Sequence, residues 1–274
     1  GNAFVRQAEK ISHDKPILLI KSGGTAAGAQ AASSHTGSLA GGETAYECVF
    51  ERAGIVRCSS IKEQFDYAQA FAYQPLPKDK RVAVITNAGG PGIMAADSVE
   101  RMGLSFAKLS DQTTDKLSEI LPAAANVHNP IDVLGDALAE RYEGAIQTVL
   151  ADGGVDIALV LLTPQAMTES VKTAEAVVKV SGENPEKPVF ASFMGASKVD
   201  DGIEVLRKGG IPQYESPEAA VNSIQVMTEY VRWKQRPKRV VKLFAVNRRK
   251  VETIIDRHMR KGIPLLKDHA QFLA

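Results

Sequence analysis

Arg81-Val82-Ala83-Val84-Ile85-Thr86-Asn87-Ala88-Gly89-Gly90-Pro91-Gly92-Ile93 is the stretch that decides the fold. Its first half is apolar without alternation, which predicts a strand over 82–86 buried on both faces. Residues 87–92 follow as a tight glycine turn, and 93–102 read as a helix with Gly103 as its C-cap. A buried strand, a glycine turn and a helix make half of a βα unit.

The same alternation continues along the chain. Downstream, strands are expected over 104–107, 157–162, 189–193 and, briefly, 211–214. Helices are expected over 113–120, 139–151, 170–180, 199–208 and 217–234. Upstream, 2–12 reads as an amphipathic helix with Phe4, Val5, Ala8 and Ile11 on one face. Residues 17–20 read as a doubly buried strand, 22–28 as a loop, 43–53 as a helix, 55–58 as a strand and 61–72 as a helix. The proline-rich, charged stretch 74–80 reads as a linker. A charged helix is expected over 250–261. Repeated βα units predict an α/β fold of parallel sheets with helices on both faces. The first unit, with two or three strands before residue 75, is too short to be complete.

Composition narrows the function classes. The chain has 274 residues, room for one large or two medium domains. Its net charge of +1 gives no electrostatic case for nucleic acid or an acidic membrane surface. Cys48 and Cys58 are the only cysteines, too few for a disulfide scaffold or a structural zinc site. Both read as small packing residues. No apolar run approaches the roughly 20 residues that span a bilayer, and no signal-peptide pattern opens the chain. A cytoplasmic location is expected.

Three segments carry candidate chemistry. The turn at Asn87, Gly89, Gly90 and Gly92 exposes backbone N–H groups where a helix dipole is positive, so it suits a phosphate. Three glycines, with Pro91 at the first helical position, exceed what a plain turn requires. The turn matches neither a Walker A loop nor the dinucleotide G-x-G-x-x-G fingerprint. In Asn129-Pro130-Ile131-Asp132-Val133-Leu134-Gly135-Asp136, the carboxylates of Asp132 and Asp136 either orient a partner or a cation, or simply close a polar loop through an Asx turn.

The third is Ser33-Ser34-His35-Thr36-Gly37-Ser38-Leu39-Ala40-Gly41-Gly42. A buried structural histidine usually has bulky apolar neighbours, and His35 has none within three residues. An imidazole on a flexible Gly/Ser loop is suited to nucleophilic or proton chemistry near neutral pH. No acidic residue lies between it and Glu43, so a carboxylate that orients it must come from elsewhere. No G-x-S-x-G elbow supports a serine hydrolase. His13, His128, His258 and His269 show no metal-binding spacing, and the basic run 234–239 reads as a solvated hinge.

Lys15-Pro16-Ile17 followed by Ser34-His35-Thr36-Gly37-Ser38-Leu39-Ala40-Gly41 resembles the phosphohistidine segment of the NDP-forming acyl-CoA synthetases, relatives of succinyl-CoA synthetase. Thr86 to Asp97 is similar to the glycine turn and helix of that family's second flavodoxin-like ligase domain, and Asn129-Pro130-Ile131-Asp132 to its next block. Val251-Glu252 onward, with Gly262-Ile263-Pro264-Leu265-Leu266, resembles the lead-in to an ATP-grasp domain.

The resemblance implies three regions. Residues 1–76 would be the C-terminal part of a flavodoxin-like domain carrying the phosphohistidine loop. Residues 80–236 would be the second ligase domain, and 237–274 a linker. The chain would be an internal fragment, with a CoA-binding domain before it and an ATP-grasp domain after it. CoA, ADP or ATP and Mg2+ would bind mainly to those other domains, and the fragment alone would be inactive. The implied reaction is acyl-CoA + ADP + phosphate ⇌ carboxylic acid + ATP + CoA, through an acyl phosphate and phosphorylated His35. Helix starts at Gly1-Asn2 and at Gly90-Gly92 would face the phosphohistidine, with Ser34, Thr36, Gly37 and Asp132 shaping the loop. A glutamate of the family that hydrogen-bonds the histidine would precede Gly1. A homo-oligomer is expected. Two rivals remain: a ligase-like regulatory body fused to a protein acetyltransferase, which an intact His35 disfavours, and a flavodoxin-like FMN or nucleotide binder, which would place aromatic residues in the glycine turns.

Overall fold

The computed structural model describes residues 2–36, 43–237 and 248–261. The chain divides into two units, Gly1–Gln235 and Arg236–Ala274. The first unit opens with α1 (Asn2–Ser12), β1 (Ile17–Ile20), α2 (Ala26–Thr36), α3 (Glu43–Ala53), β2 (Ile55–Cys58) and α4 (Ile61–Tyr73). β1 and β2 pair in parallel, with Ile17 opposite Ile55 and Ile20 opposite Cys58. There follow β3 (Arg81–Thr86), α5 (Gly89–Arg101), β4 (Ser105–Phe106), α6 (Asp111–Ile120), β5 (Ile131–Asp132), α7 (Ala139–Leu150), β6 (Ile157–Leu162), α8 (Ser170–Glu183), β7 (Val189–Phe193), α9 (Asp200–Lys208) and α10 (Pro217–Lys234). The second unit contains α11 (Arg248–Lys261).

The expected parallel α/β architecture is present. The larger sheet runs β4-β3-β6-β7, and β5 also pairs with β3. All its pairings are parallel. The unbroken apolar runs of its strands divide by parity, because successive side chains point to opposite faces. Ala83, Ile85, Ala158, Val160, Leu162, Val189 and Ala191 pack into the core beneath α6–α9. Val82, Val84, Ile157, Leu159, Leu161 and Phe190 pack into the core with α4, α5 and α10. A smaller core of Val5, Ala8, Phe50, Ala53 and Ile55 serves the first sheet.

Side chains complete the sheet where backbone pairing stops. Asn129 donates to the carbonyls of Val82 (2.8 Å) and Ala107 (3.1 Å) and accepts from Val84 N–H (2.9 Å). It thereby fills the edge of β3 between β4 and β5. At the outer edge of β7, Gln74 Oε1 accepts Val189 N–H (2.8 Å) and Gln213 Oε1 accepts Phe193 N–H (2.9 Å). At the other end of the strands, the guanidinium of Arg81 holds buried Asp156 through two bonds of 2.6 and 2.7 Å.

Several expectations need correction. Residues 211–214 form no strand, only one bridge between Ala191 and Gln213, because the Gln213 side chain takes over the pairing. Residues 131–132, expected within a polar loop, form β5, a strand too short to carry a periodicity. On α1, Val5 and Ala8 are buried, but Phe4 and Ile11 are about half exposed, one step around the helix. β1 is half-buried along its length, because each strand of a two-stranded sheet is an edge. Gly103 does cap α5, with φ 69° and the paired bonds of a Schellman turn.

Candidate active site

The chain passes from β3 to β4 on one side of the larger sheet and later crosses back to β6 on the other. Parallel sheets place their ligand crevice at such a switch point, beyond the carboxyl ends of the strands. Here that edge holds Asn87 after β3, Asp132 at the end of β5 and Thr163 after β6. It also concentrates backbone strain. Leu134 (φ 71°) and Ala196 (φ 50°) are the non-glycine residues with left-handed backbone among those described, and each follows a strand of this sheet. Such a conformation costs an L-residue about 1–2 kcal/mol, and strain of this kind gathers at functional sites. Asp132 offsets part of the cost, since its Oδ1 accepts Leu134 N–H at 2.9 Å. That is the Asx turn of the plainer reading. Asp136 is exposed and paired with Arg141 (2.6 Å), whose hydrogen bond holds its carboxyl below the ordinary value.

The glycine turn proves to be helix. α5 begins at Gly89, four residues before the expected start, and Pro91 is its third residue rather than its first. Ala88 is the N-cap without a side-chain bond, and Thr86 Oγ1 accepts Ala88 N–H at 3.1 Å instead. The four residues expected to line an anion site separate into two pairs. Asn87 is buried and turned inward. Its Nδ2 donates to Thr163 O (2.8 Å), and its Oδ1 accepts Thr163 N–H (2.9 Å). Gly92 is buried, its N–H donates to Ala88 O (3.3 Å), and a Cβ there would meet Thr86 Cγ2 at 3.1 Å. Gly89 and Gly90 are exposed in the first turn, where amides have no intrahelical partner and the macrodipole is positive. The Asp132 carboxylate stands beside them, 4.0 Å from where a Cβ of Gly89 would lie.

At the first sheet, His35 lies in the last turn of α2 rather than in a loop. Five alanines between 26 and 32 explain the helix, since alanine is its best former. Reading small residues together as loop signals overlooked that difference. Thr25 Oγ1 accepts Gly28 N–H (3.1 Å) and caps the helix start, while Ser34 Oγ bonds back to Ala31 O (2.8 Å). The side chains of Asn2, His35 and Thr36, together with Gly1 and Gly37, lie outside the described residues. Beyond that segment Glu43 opens α3, and its carboxylate is paired with Arg57 on β2. Sequence reading missed Arg57, which had no signal beyond lying in a strand.

No group of three or more His, Cys, Asp or Glu among the described residues is placed to hold a metal ion. Cys58 is buried, which raises its thiol pKa, but Cys48 is exposed on α3 and is not a packing residue. His13 and His128 are exposed. No helix among the described residues is long and apolar enough to cross a membrane. A cavity of about 340 Å3 lies elsewhere, between residues 77–80, 102–104 and the C-terminal half of α10, and is lined by none of the candidate site residues.

Comparison with known proteins returns two family matches. Residues 1–71 match the succinyl-CoA ligase like flavodoxin domain, and residues 82–241 match the ligase-CoA domain. The chain is 40% identical over 264 residues to an ADP-forming acetate–CoA ligase I of Archaeoglobus fulgidus, covering 96% of this chain and 37% of the relative. It is 39% identical over 221 residues to the alpha subunit of ADP-forming acetate–CoA ligase II of Pyrococcus furiosus, covering 80% of this chain and 48% of the relative. Among solved structures, it is similar to the dinucleotide-forming acetyl-coenzyme A synthetase 1 of Ca. Korarchaeum cryptofilum in complex with phosphate and ADP. There the TM-score is 0.80 at 32% identity, covering 84% of this chain and 50% of that one. The chain thus spans half or less of the length of these relatives.

Proposed function

The chain belongs to the ligase-CoA family of NDP-forming acyl-CoA synthetases, and from that membership we propose that it is the phosphoryl-carrying body of an ADP-forming acid–thiol ligase. The observation that carries the reading is that the succinyl-CoA ligase like match, residues 1–71, spans His35. In the proposed reaction a phosphate oxygen attacks the acyl-CoA carbonyl and expels the CoA thiolate, leaving an acyl phosphate. A neutral imidazole nitrogen of His35 then attacks phosphorus and releases the carboxylate. Last, the terminal oxygen of ADP takes the phosphoryl group and the imidazole departs.

The residues of this chain would serve those steps electrostatically. The start of α5, at Gly89 and Gly90, offers amides and positive dipole to the transferring phosphoryl group. The start of α1 at Gly1 and Asn2 is the second such element. Asn87 and Gly92 hold the α5 start in place, Asp132 sets the 132–135 loop beside it, and Ser34, Thr36 and Gly37 flank the carrier. CoA and nucleotide would be held mainly by parts of the protein outside this chain. So would Mg2+, which would neutralise the nucleotide phosphates.

The test is turnover by the intact protein. Over repeated turnovers, free thiol should accumulate from acyl-CoA only when both ADP and phosphate are present, with one ATP formed per thiol. His35→Ala should lower ATP formation by about 10³-fold or more, as loss of a covalent catalyst does. Thiol release that needs neither ADP nor phosphate would identify a thioesterase and end the proposal.

A further inference from the structure

We propose that Tyr230 and Trp233 of α10 are positioning residues for the phosphoryl-transfer site, acting through α1. The inference rests on the reading of His35 as phosphoryl carrier and adds a device that sets one of the helix starts around it. α1 packs on α3, β1 and β2, which fix it to the first sheet. Its last residue is tied separately to the larger sheet's layer of helices. Tyr230 Oη donates to Ser12 O at 2.6 Å, with both residues buried. The next residue, His13, lies against Trp233 with ring centroids 4.7 Å apart. Trp233 stacks on Tyr230 (6.2 Å, 19°), and Tyr230 meets Phe71 of α4 edge-on (5.3 Å, 81°). Gly54, at the corner between α3 and β2, has φ 68°, and a Cβ there would come within 2.4 Å of the Trp233 indole carbons.

Three further ties between the two sheets do not touch α1. Tyr67 accepts from Asn222 Nδ2 (2.7 Å), Tyr214 Oη donates to Asp66 O (3.1 Å), and Gln69 Nε2 donates to Gln213 O (3.1 Å). All three run through α4. Tyr230 and Trp233 therefore govern where the C-terminal end of α1 sits relative to α10, which in turn packs against α5. A helix of 11 residues is about 16 Å long. Tilting it by about 10° at Ser12 moves the Asn2 end by about 3 Å, more than an N–H···O contact tolerates.

The experiment uses the intact protein, ATP labelled at its γ-phosphate, and the variants Tyr230→Phe and Tyr67→Phe. Each removes one buried hydroxyl from the joint, but only the first touches α1. With wild type, label should accumulate on His35. In Tyr230→Phe the ratio of phosphorylated to free His35 at fixed ATP and ADP should fall about five- to tenfold, as for one lost contact in the charged state, with the nucleotide KM unchanged. Tyr67→Phe should keep the wild-type ratio. Far-UV circular dichroism shows whether each variant folds, and its thermal midpoint shows whether the joint loosens. Equal ratios in Tyr230→Phe and wild type, or equal losses in both variants, would overturn the positioning role. No label in wild type would instead sink the carrier reading beneath it.

Discussion

Asn129 shows how one residue can stand in for a strand. Between the two residues of β4 and the two of β5, the inner edge of β3 would leave Val84 N–H without a partner in a fully buried strand. The Asn129 carboxamide supplies both the acceptor and the donors that the gap needs. Asn129→Ala should cost about 2–3 kcal/mol, the penalty for orphaning buried backbone groups, read as a lower urea midpoint at constant slope. Asp152 is a comparable knot. Burial alone would raise its carboxyl, but hydrogen bonds from Thr113, Ser110 and Gly154 bring it down to about 2. A depressed carboxyl stabilises the fold above its unfolded value of 3.8 and loses that contribution as pH falls toward 2. Unfolding free energy should therefore drop by about 2 kcal/mol between pH 5 and pH 2 on account of this group, and Asp152→Asn should flatten that part of the profile.

Among the elements, those bounded by strong punctuation were legible to the residue. β2 lies between Gly54 and Ser59, β7 follows Pro188, α10 follows Ser216, and β6 is a pure aliphatic run between Asp156 and Thr163. Elements whose signal is not local were not legible. α2 hides alanines among glycines and serines. The start of α5 looks like a turn because Gly89, Gly90 and Gly92 are poor helix formers, tolerated there by an exposed first turn and by close packing on Thr86. The strand expected at 211–214 failed for a tertiary reason. Gln213 reaches back with Oε1 to Phe193 N–H and with Nε2 to Phe193 O. Gln213→Ala should expose that edge of β7 and cost about 2 kcal/mol by thermal or urea unfolding, since two buried backbone groups lose their partner.

At the scale of the whole molecule, the parallel architecture could be read in advance, whereas the helical setting of His35 could not. What joins the two sheets is a set of aromatic and amide contacts from α4 and α10, residues far apart in sequence with no shared motif. Gly54→Ala tests that joint without touching a polar group. A left-handed alanine costs about 1–2 kcal/mol, and displacing Trp233 adds to it, so the melting temperature should fall and the Trp233 emission should shift together. The central claim concerns His35 itself. The most direct measurement is to incubate the intact protein and its His35→Ala variant with γ-labelled ATP and then treat both with acid and with base. The account predicts acid-labile, base-stable label in wild type and none in His35→Ala, and equal label of that kind in both proteins would contradict it.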